Sequence, residues 1–373
     1  MNLLHPFASS IVYMLIGYSE QDPVAEPVLA EPQVHIPPTM PSHHPKDRTK
    51  DSYTEFETRE RRGFSRNLLP KLIAKLPTTT VGFTLAELME TPGILPSFLH
   101  ADPKEVYGSM GLATTSSVAI RDREGRGLVF FIKDALDMPW EKGAGLNEIV
   151  SRAIVKLANI YKPPAPSPTD YRHKEFQKDC PDCGVYHFAL WVATGQDNAK
   201  NPKHPTPHQA VLSRDITAAS YKSQAVLDLF VDLAQVLQSI GIFYEAIDPD
   251  AYVRYRANWE YFVHKTPLRL LDVSRRQCFL GLALLRGAQV GIHTDKGDVR
   301  EGWVAMICSG NFEGGELCVP GLNLKLGHKP GDIIFFRSSL LEHFVGDFTG
   351  DRSSIVFFSH EKLMDKQLGV VCS

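Results

Sequence analysis

His293-Thr294-Asp295, followed fifty residues later by His343 and then by Arg352-Ser353-Ser354, is the stretch that decides the fold. Two imidazoles and one carboxylate can occupy one face of a six-coordinate metal and leave three positions open. Non-haem Fe(II) needs that arrangement to hold a bidentate co-substrate together with O₂. On an extended strand side chains alternate between faces, so His293 and Asp295 project together while Thr294 turns back. Residues 293 to 354 are therefore expected to form an oxygenase centre.

Working outward, Phe312-Glu313-Gly314-Gly315-Glu316-Leu317-Cys318-Val319-Pro320 begins with a turn and continues as a strand. Lys329-Pro330-Gly331-Asp332 is a turn before the apolar run Ile333-Ile334-Phe335-Phe336, and a further strand leads to His343. Arg352 opens the β-rich run Ser354-Ile355-Val356-Phe357-Phe358, expected to lie beside the His343 strand. Its guanidinium can pair bidentately with a carboxylate.

The order His-x-Asp, Gly-Gly-Glu-Leu, Pro-Gly-Asp, His, Arg-x-Ser resembles the 2-oxoglutarate/Fe(II) dioxygenase superfamily. Within it, the block from Gly302-Trp303-Val304 through Phe312-Glu313-Gly314-Gly315 to His343 is most similar to the fungal Tet/JBP-like branch, which oxidises modified nucleobases. The motifs span residues 278 to 362, with weaker similarity back to about residue 115. The resemblance implies an α+β fold with a double-stranded β-helix core, jelly-roll or cupin-like, and flanking helices. It implies Fe(II) on His293, Asp295 and His343, with 2-oxoglutarate as co-substrate, its far carboxylate on Arg352 and Ser354, and O₂ as oxidant.

Two further positions carry roles that come from the resemblance. Asp298 fills the acidic place of an extended His-x-Asp-x-x-Asp motif, where a carboxylate accepts a hydrogen bond from the exocyclic amino group of cytosine, a donor that thymine lacks. Beside Gly297 it can equally cap a turn. His360, eight residues past Arg352, stands where these relatives place a histidine that contacts the flipped base; the alternative is a strand-end histidine in solvent. His328, in the turn Gly327-His328-Lys329-Pro330, reads as solvated and not as a ligand.

A methyl group stacked inside duplex DNA reaches a buried metal only after its nucleotide is extruded, so methylated DNA as partner implies base flipping. The expected footprint is a basic surface with aromatic residues. One candidate runs from Tyr252 through Arg254, Tyr255, Arg256, Trp259, Tyr261, His264 and Lys265 to Arg269, with Arg275 and Arg276 beyond. A second comprises Arg59, Arg61, Arg62, Arg66, Lys71 and Lys75. Both read equally as solvated helix faces with aromatics turned inward. The formal net charge of -3 is unlike a basic DNA-binding domain and leaves room for a protein-directed enzyme.

The leading expectation is oxidation of 5-methylcytosine to 5-hydroxymethylcytosine and further, with demethylation of N6-methyladenine as a close variant and a nuclear, intracellular location following from the DNA substrate. The alternative from a different class is a protein side-chain hydroxylase of the prolyl type on the same iron site. A third is a metal- or DNA-binding protein without turnover.

At 373 residues the chain is long enough for one elaborated domain with a substantial core. Residues 1–50, Pro-rich from about residue 20, are expected to be a disordered tail, 51–115 a helical extension, and 116–373 the dioxygenase domain. Ser116–Ile120 and Leu128–Ile132 read as a hairpin, and helical spacing appears at Leu146–Leu157 and in one longer helix over Val226–Val236. Six cysteines lack a secreted-scaffold pattern; Cys278, Cys308 and Cys318 read as buried thiols. Cys180-Pro181-Asp182-Cys183, with His173 and His187 nearby, has zinc-ligand types but reads as a metal-free loop, and His204 with His208 as an exposed one. The apolar run Ile11–Ile16 is short and lacks a basic flank, so neither a signal peptide nor a membrane span is expected. No obligate protein partner is inferred.

Overall fold

The computed structural model describes residues 63–138, 145–165, 183–192 and 210–364. The expected tail over 1–50 and the residues Cys180, His173, His204 and His208 lie outside them. A short π-helical turn (Phe64–Leu68) leads into α1 (Leu69–Ala74), then β1 (Thr78–Thr80), α2 (Leu85–Glu90) and α3 (Pro103–Ser109). β2 (Val118–Arg121) and β3 (Gly127–Ile132) precede α4 (Leu146–Ile160), β4 (Gly184–Val192) and β5 (Ala210–Leu212). Three helices follow in succession: α5 (Ser220–Asp232), α6 (Ala234–Ile247) and α7 (Pro249–Val263). The remaining strands are β6 (Gly281–Arg286), β7 (Val304–Gly314), β8 (Leu317–Val319), β9 (Leu324–Leu326), β10 (Ile333–Phe336), β11 (Phe344–Val345) and β12 (Phe348–Phe358), with α8 (Glu361–Met364) after them.

Nine strands form one sheet in the order β1-β2-β3-β10-β7-β12-β6-β4-β5, and β11-β8-β9 form a second. A bridge between His293 and His343 extends the smaller sheet beyond β11. From β6 onward the chain alternates between the two: large at β6, small at His293, large at β7, small at β8 and β9, large at β10, small at β11, large at β12. That alternation is the double-stranded β-helix expected from the sequence. Its longest seam is antiparallel, β12 against β7, in register from Phe348 opposite Gly314 to Phe357 opposite Ala305.

The large sheet is covered on both faces, which is why its central strands are continuous apolar runs. In β10, Ile333 and Phe335 join the core under the helices, while Ile334 and Phe336 face the smaller sheet. The helix-side core draws Leu146, Val150, Ala153, Ile154 and Leu157 from α4, the expected stripe with Val150 and Ile154 one turn apart. The β2–β3 hairpin is pinned by Asp122, whose carboxylate accepts from the backbone N–H of Glu124, Arg126 and Leu85 at 2.7–2.9 Å and pairs with Arg126. Residues 63–115 are tied into this body: β1 pairs in parallel with β2, and Leu69 and Ile73 of α1 are core.

One helical reading needs correction. The single long helix expected over Val226–Val236 is two, α5 and α6, bent by 54° at Leu233. Leu233 leaves the helical ψ, and the bend keeps Val226, Leu229 and Phe230 on one side and Val236, Leu237 and Ile240 on the other packed on the same core. For the basic stretch in α7 the reading of a solvated face with inward aromatics holds: Tyr252, Tyr255 and Trp259 are buried at helical spacing, with Tyr261 half-buried. Arg254 pairs with Glu301, and Arg256 with Glu260 and the Gln277 carbonyl. Of the second basic set, Arg66, Lys71 and Lys75 are exposed, and residues 59–62 lie outside the described part. Cys278, Cys308 and Cys318 are buried thiols as expected, each held well above its usual pKa by burial. Among the described residues no single helix is long and apolar enough to cross a membrane.

Candidate active site

A cavity of about 480 Å³ opens between the two sheets, and His293, Asp295, Asp298, His343, Arg352, Ser354 and His360 all line it. His293 and His343 face each other as a bridging pair, with reciprocal backbone hydrogen bonds of 3.0 and 2.8 Å and ring centroids 4.3 Å apart. The segment around His293 is a single bridged pair, not the regular strand expected. The outcome for the ligands is the same. Asp295, tied through its N–H to the Ser338 carbonyl, brings its carboxylate to 3.5 Å from His293 Nε2 and 3.6 Å from His343 Nε2.

These three offer one ligand atom each within 4.8 Å of one another, the one such cluster among the described residues. Each imidazole places Nδ1 against a carbonyl, His293 on Gly291 at 2.8 Å and His343 on Leu341 at 2.9 Å. A carbonyl only accepts, so Nδ1 carries the proton and Nε2 presents its lone pair toward Asp295, the tautomer a metal ligand needs. The donor set suits Fe(II).

β12 lays out the rest of the cavity. Arg352, Ser354, Val356 and Phe358, with His360 just beyond the strand, recur at every second residue and all line it. The Arg352 strand does not lie beside the His343 strand as expected: β12 sits between β7 and β6 in the large sheet, while β11, which follows His343, pairs with β8 in the small one. The chain crosses from one sheet to the other between Val345 and Phe348. The three candidate metal-holding residues and the guanidinium therefore line one cavity from opposite sides.

Arg352 is buried, and among the described residues no carboxylate pairs with it at salt-bridge distance, Glu316 acting on it only through space. Nη1 donates to Ser354 Oγ at 2.6 Å and Nη2 to the Gly315 carbonyl at 3.2 Å, while the rings of Phe312 and Phe348 lie 5.2 and 5.5 Å from its Cζ. Burying a cation without a counter-charge is costly, so this pocket is built for an anion that arrives with the ligand. A dicarboxylic ligand would supply it. Gly315 matters twice: its φ is +72°, and a Cβ there would lie 2.7 Å from Arg352 Nε. Gly315→Ala is expected to push the guanidinium aside and weaken 2-oxoglutarate binding by on the order of tenfold, with metal affinity unchanged, in calorimetric titrations.

Asp298 and His360 form a second pair across an isolated bridge. Asp298 Oδ1 stands 3.4 Å from His360 Nδ1, which also reaches the Gly297 carbonyl at 3.1 Å, and Oδ2 receives the Ser338 hydroxyl at 3.2 Å. The turn is closed by the Asp298 N–H on the Asp295 carbonyl, so the carboxylate does more than cap it. Burial pushes this carboxyl up to about 6, while His360 pulls it the other way. His360 is not in free solvent: its ring packs on Trp191 at 4.7 Å and on Phe358 at 5.1 Å, and its buried Nε2 has no partner among the described residues.

His328 requires a correction. It is fully buried, not solvated, because the Gly327 N–H bonds the Thr114 carbonyl and draws the turn under the barrel. Sequence reasoning also missed Trp191 and His187, which reach the cavity from β4. Their signal was the period-two placement of Val185, His187 and Trp191 in an apolar run. His187 thus belongs to this cavity, while the Cys180 half of the Cys-x-x-Cys motif lies outside the described residues and Cys183 is buried.

Residues 191–361 match the Tet/JBP family profile, described as the oxygenase domain of the 2OGFeDO superfamily. No curated protein matches the chain. Among solved structures, similarity is found to NgTET1 in complex with 5mC DNA (15% identity, 70% of this chain and 88% of that one, TM-score 0.44). A prolyl-4-hydroxylase from Pseudomonas putida shows 12% identity over 62% and 92% of the two chains, with a TM-score of 0.32. OsALKBH1 shows 14% over 62% and 96%, with a TM-score of 0.31.

Proposed function

We propose that this chain, a 2-oxoglutarate/Fe(II) dioxygenase whose Tet/JBP oxygenase domain occupies residues 191–361, oxidises the methyl group of a modified base in DNA, 5-methylcytosine first and N6-methyladenine as a variant. Fe(II) and 2-oxoglutarate supply the oxidation: O₂ delivers one oxygen atom to a substrate C–H bond and the other to succinate, with release of CO₂. In this reading His293, Asp295 and His343 hold the metal. Arg352 and Ser354 fix the far carboxylate of the co-substrate, and Met306, Leu317 and Val356 keep that part of the cavity apolar.

The observation that carries the substrate reading is the wall past Val356, where Asp298 and His360 stand with Trp191 and Phe358. A flat heterocycle extruded from a duplex finds aromatic surface there, and a hydrogen-bonding pair for its exocyclic amino group. Lys296, exposed on the rim, suits a flanking phosphate. A nuclear location follows from this substrate. Asp298→Ala is expected to lower kcat/KM on methylated DNA by on the order of 10- to 100-fold, the discrimination of one good base contact, while substrate-independent succinate formation is retained.

The test is mass spectrometry of nucleosides after incubating methylated duplex DNA with the chain, Fe(II) and 2-oxoglutarate. Hydroxymethylated or demethylated base supports the reading. No change in any base, with hydroxylation of a peptide instead, moves the assignment to a prolyl-type protein hydroxylase. The net charge of -3 and the inward-turned aromatics of α7 favour that second reading.

A further inference from the structure

His328 and Arg352 present an unfinished pair. Both His328 ring nitrogens and Arg352 Nε are buried with no hydrogen-bond partner among the described residues. Buried polar groups left without a hydrogen bond are costly and rare, so their occurrence together is informative. The residue after His328 meets the same ring as the guanidinium: Lys329 Nζ lies 4.8 Å from the Phe312 centroid and reaches the Phe312 carbonyl, and Arg352 Cζ lies 5.2 Å from that centroid. Burial and the nearby Arg352 charge hold the imidazole down to about 3, hence neutral, with one acceptor and one donor nitrogen.

The valences are complementary. Arg352 Nε–H is a donor lacking an acceptor, and a neutral imidazole supplies one. We propose that His328 is a positioning residue for the co-substrate: its acceptor nitrogen takes the Arg352 Nε–H, directly or through one enclosed water, and fixes the plane in which the guanidinium meets the far carboxylate. His328 does not itself touch the ligand, since it has no surface open to the cavity. An enclosed water is stable in such a place only with polar partners, and the imidazole acceptor and the Arg352 Nε–H supply two. Protonation at this depth would set a second cation against Arg352, so the neutral form is the one the site uses.

This inference rests on the reading of Arg352 as the co-substrate anchor, and the experiment separates the two. Binding of 2-oxoglutarate and of 2-oxobutyrate, which lacks the far carboxylate, is measured by calorimetry on the full chain loaded with redox-inert Mn(II). His328→Phe is expected to weaken 2-oxoglutarate by about fivefold to tenfold, the effect of one misplaced charged hydrogen bond, and to leave 2-oxobutyrate unchanged. His328→Gln, which keeps an acceptor, is expected to restore most of the preference for the diacid. If His328→Phe leaves the ratio of the two affinities at the wild-type value, or weakens both acids equally, the proposal is overturned. Should Arg352→Met also leave the ratio unchanged, the anchor assignment itself falls.

Discussion

Arg352→Met is expected to weaken 2-oxoglutarate binding by between about 30-fold and several thousand-fold, corresponding to roughly 2–5 kcal/mol for removing one partner of a buried charge pair. The size follows from the site. Arg352 is 2% exposed, and no other cation among the cavity-lining residues stands on β12 or its neighbours to replace it. The co-substrate would bury a carboxylate against Ser354 and the Phe312 and Phe348 rings alone. Methionine keeps most of the volume and removes only the charge and its donors. Fe(II) affinity should be retained, because the metal ligands reach the cavity from the opposite sheet; calorimetry of both ligands checks this.

His343→Ala is expected to lower Fe(II) affinity by at least on the order of 100-fold and to abolish succinate formation. Two donors remain, His293 and Asp295, and the pair across the bridge loses its facing imidazole. The ring also packs edge-on against Phe336 at 4.8 Å, so a modest stability loss accompanies the change. His343→Gln fills that space with a poorer ligand and separates the two effects. Thermal unfolding near the wild-type midpoint with metal binding lost would identify the loss as coordination and not packing.

What the sequence revealed most clearly is whatever the barrel encodes locally. His293 and Asp295 are two residues apart and Arg352 and Ser354 two residues apart, so the period of an extended backbone places each pair on one face without knowledge of the fold. The apolar stripe of α4 and the Asp122 hairpin were legible for the same reason. Properties set by distant contacts were not. His328 sits in a polar turn, Gly-His-Lys-Pro-Gly-Asp, and only the hydrogen bond from Gly327 to Thr114, more than two hundred residues away, shows that it is enclosed. Trp191 reaches His360 because β4 pairs with β6, a register that no local pattern specifies. The basic aromatic stretch of α7 was ambiguous because helical periodicity marks an aromatic stripe without saying whether it meets core or solvent. Val226–Val236 read as continuous because no proline or glycine marks the bend at Leu233; packing of both segments on one core causes it.

The cavity is lined by three side chains that could hold a metal and, from the facing sheet, by a guanidinium that could anchor the far carboxylate of a diacid. Titration of 2-oxoglutarate into the full chain with and without Mn(II) tests this most directly. One diacid per chain should bind tightly only when metal is present, and both Asp295→Ala and Arg352→Met should remove that binding. Equal affinity with and without metal, or binding indifferent to Asp295→Ala, would contradict it.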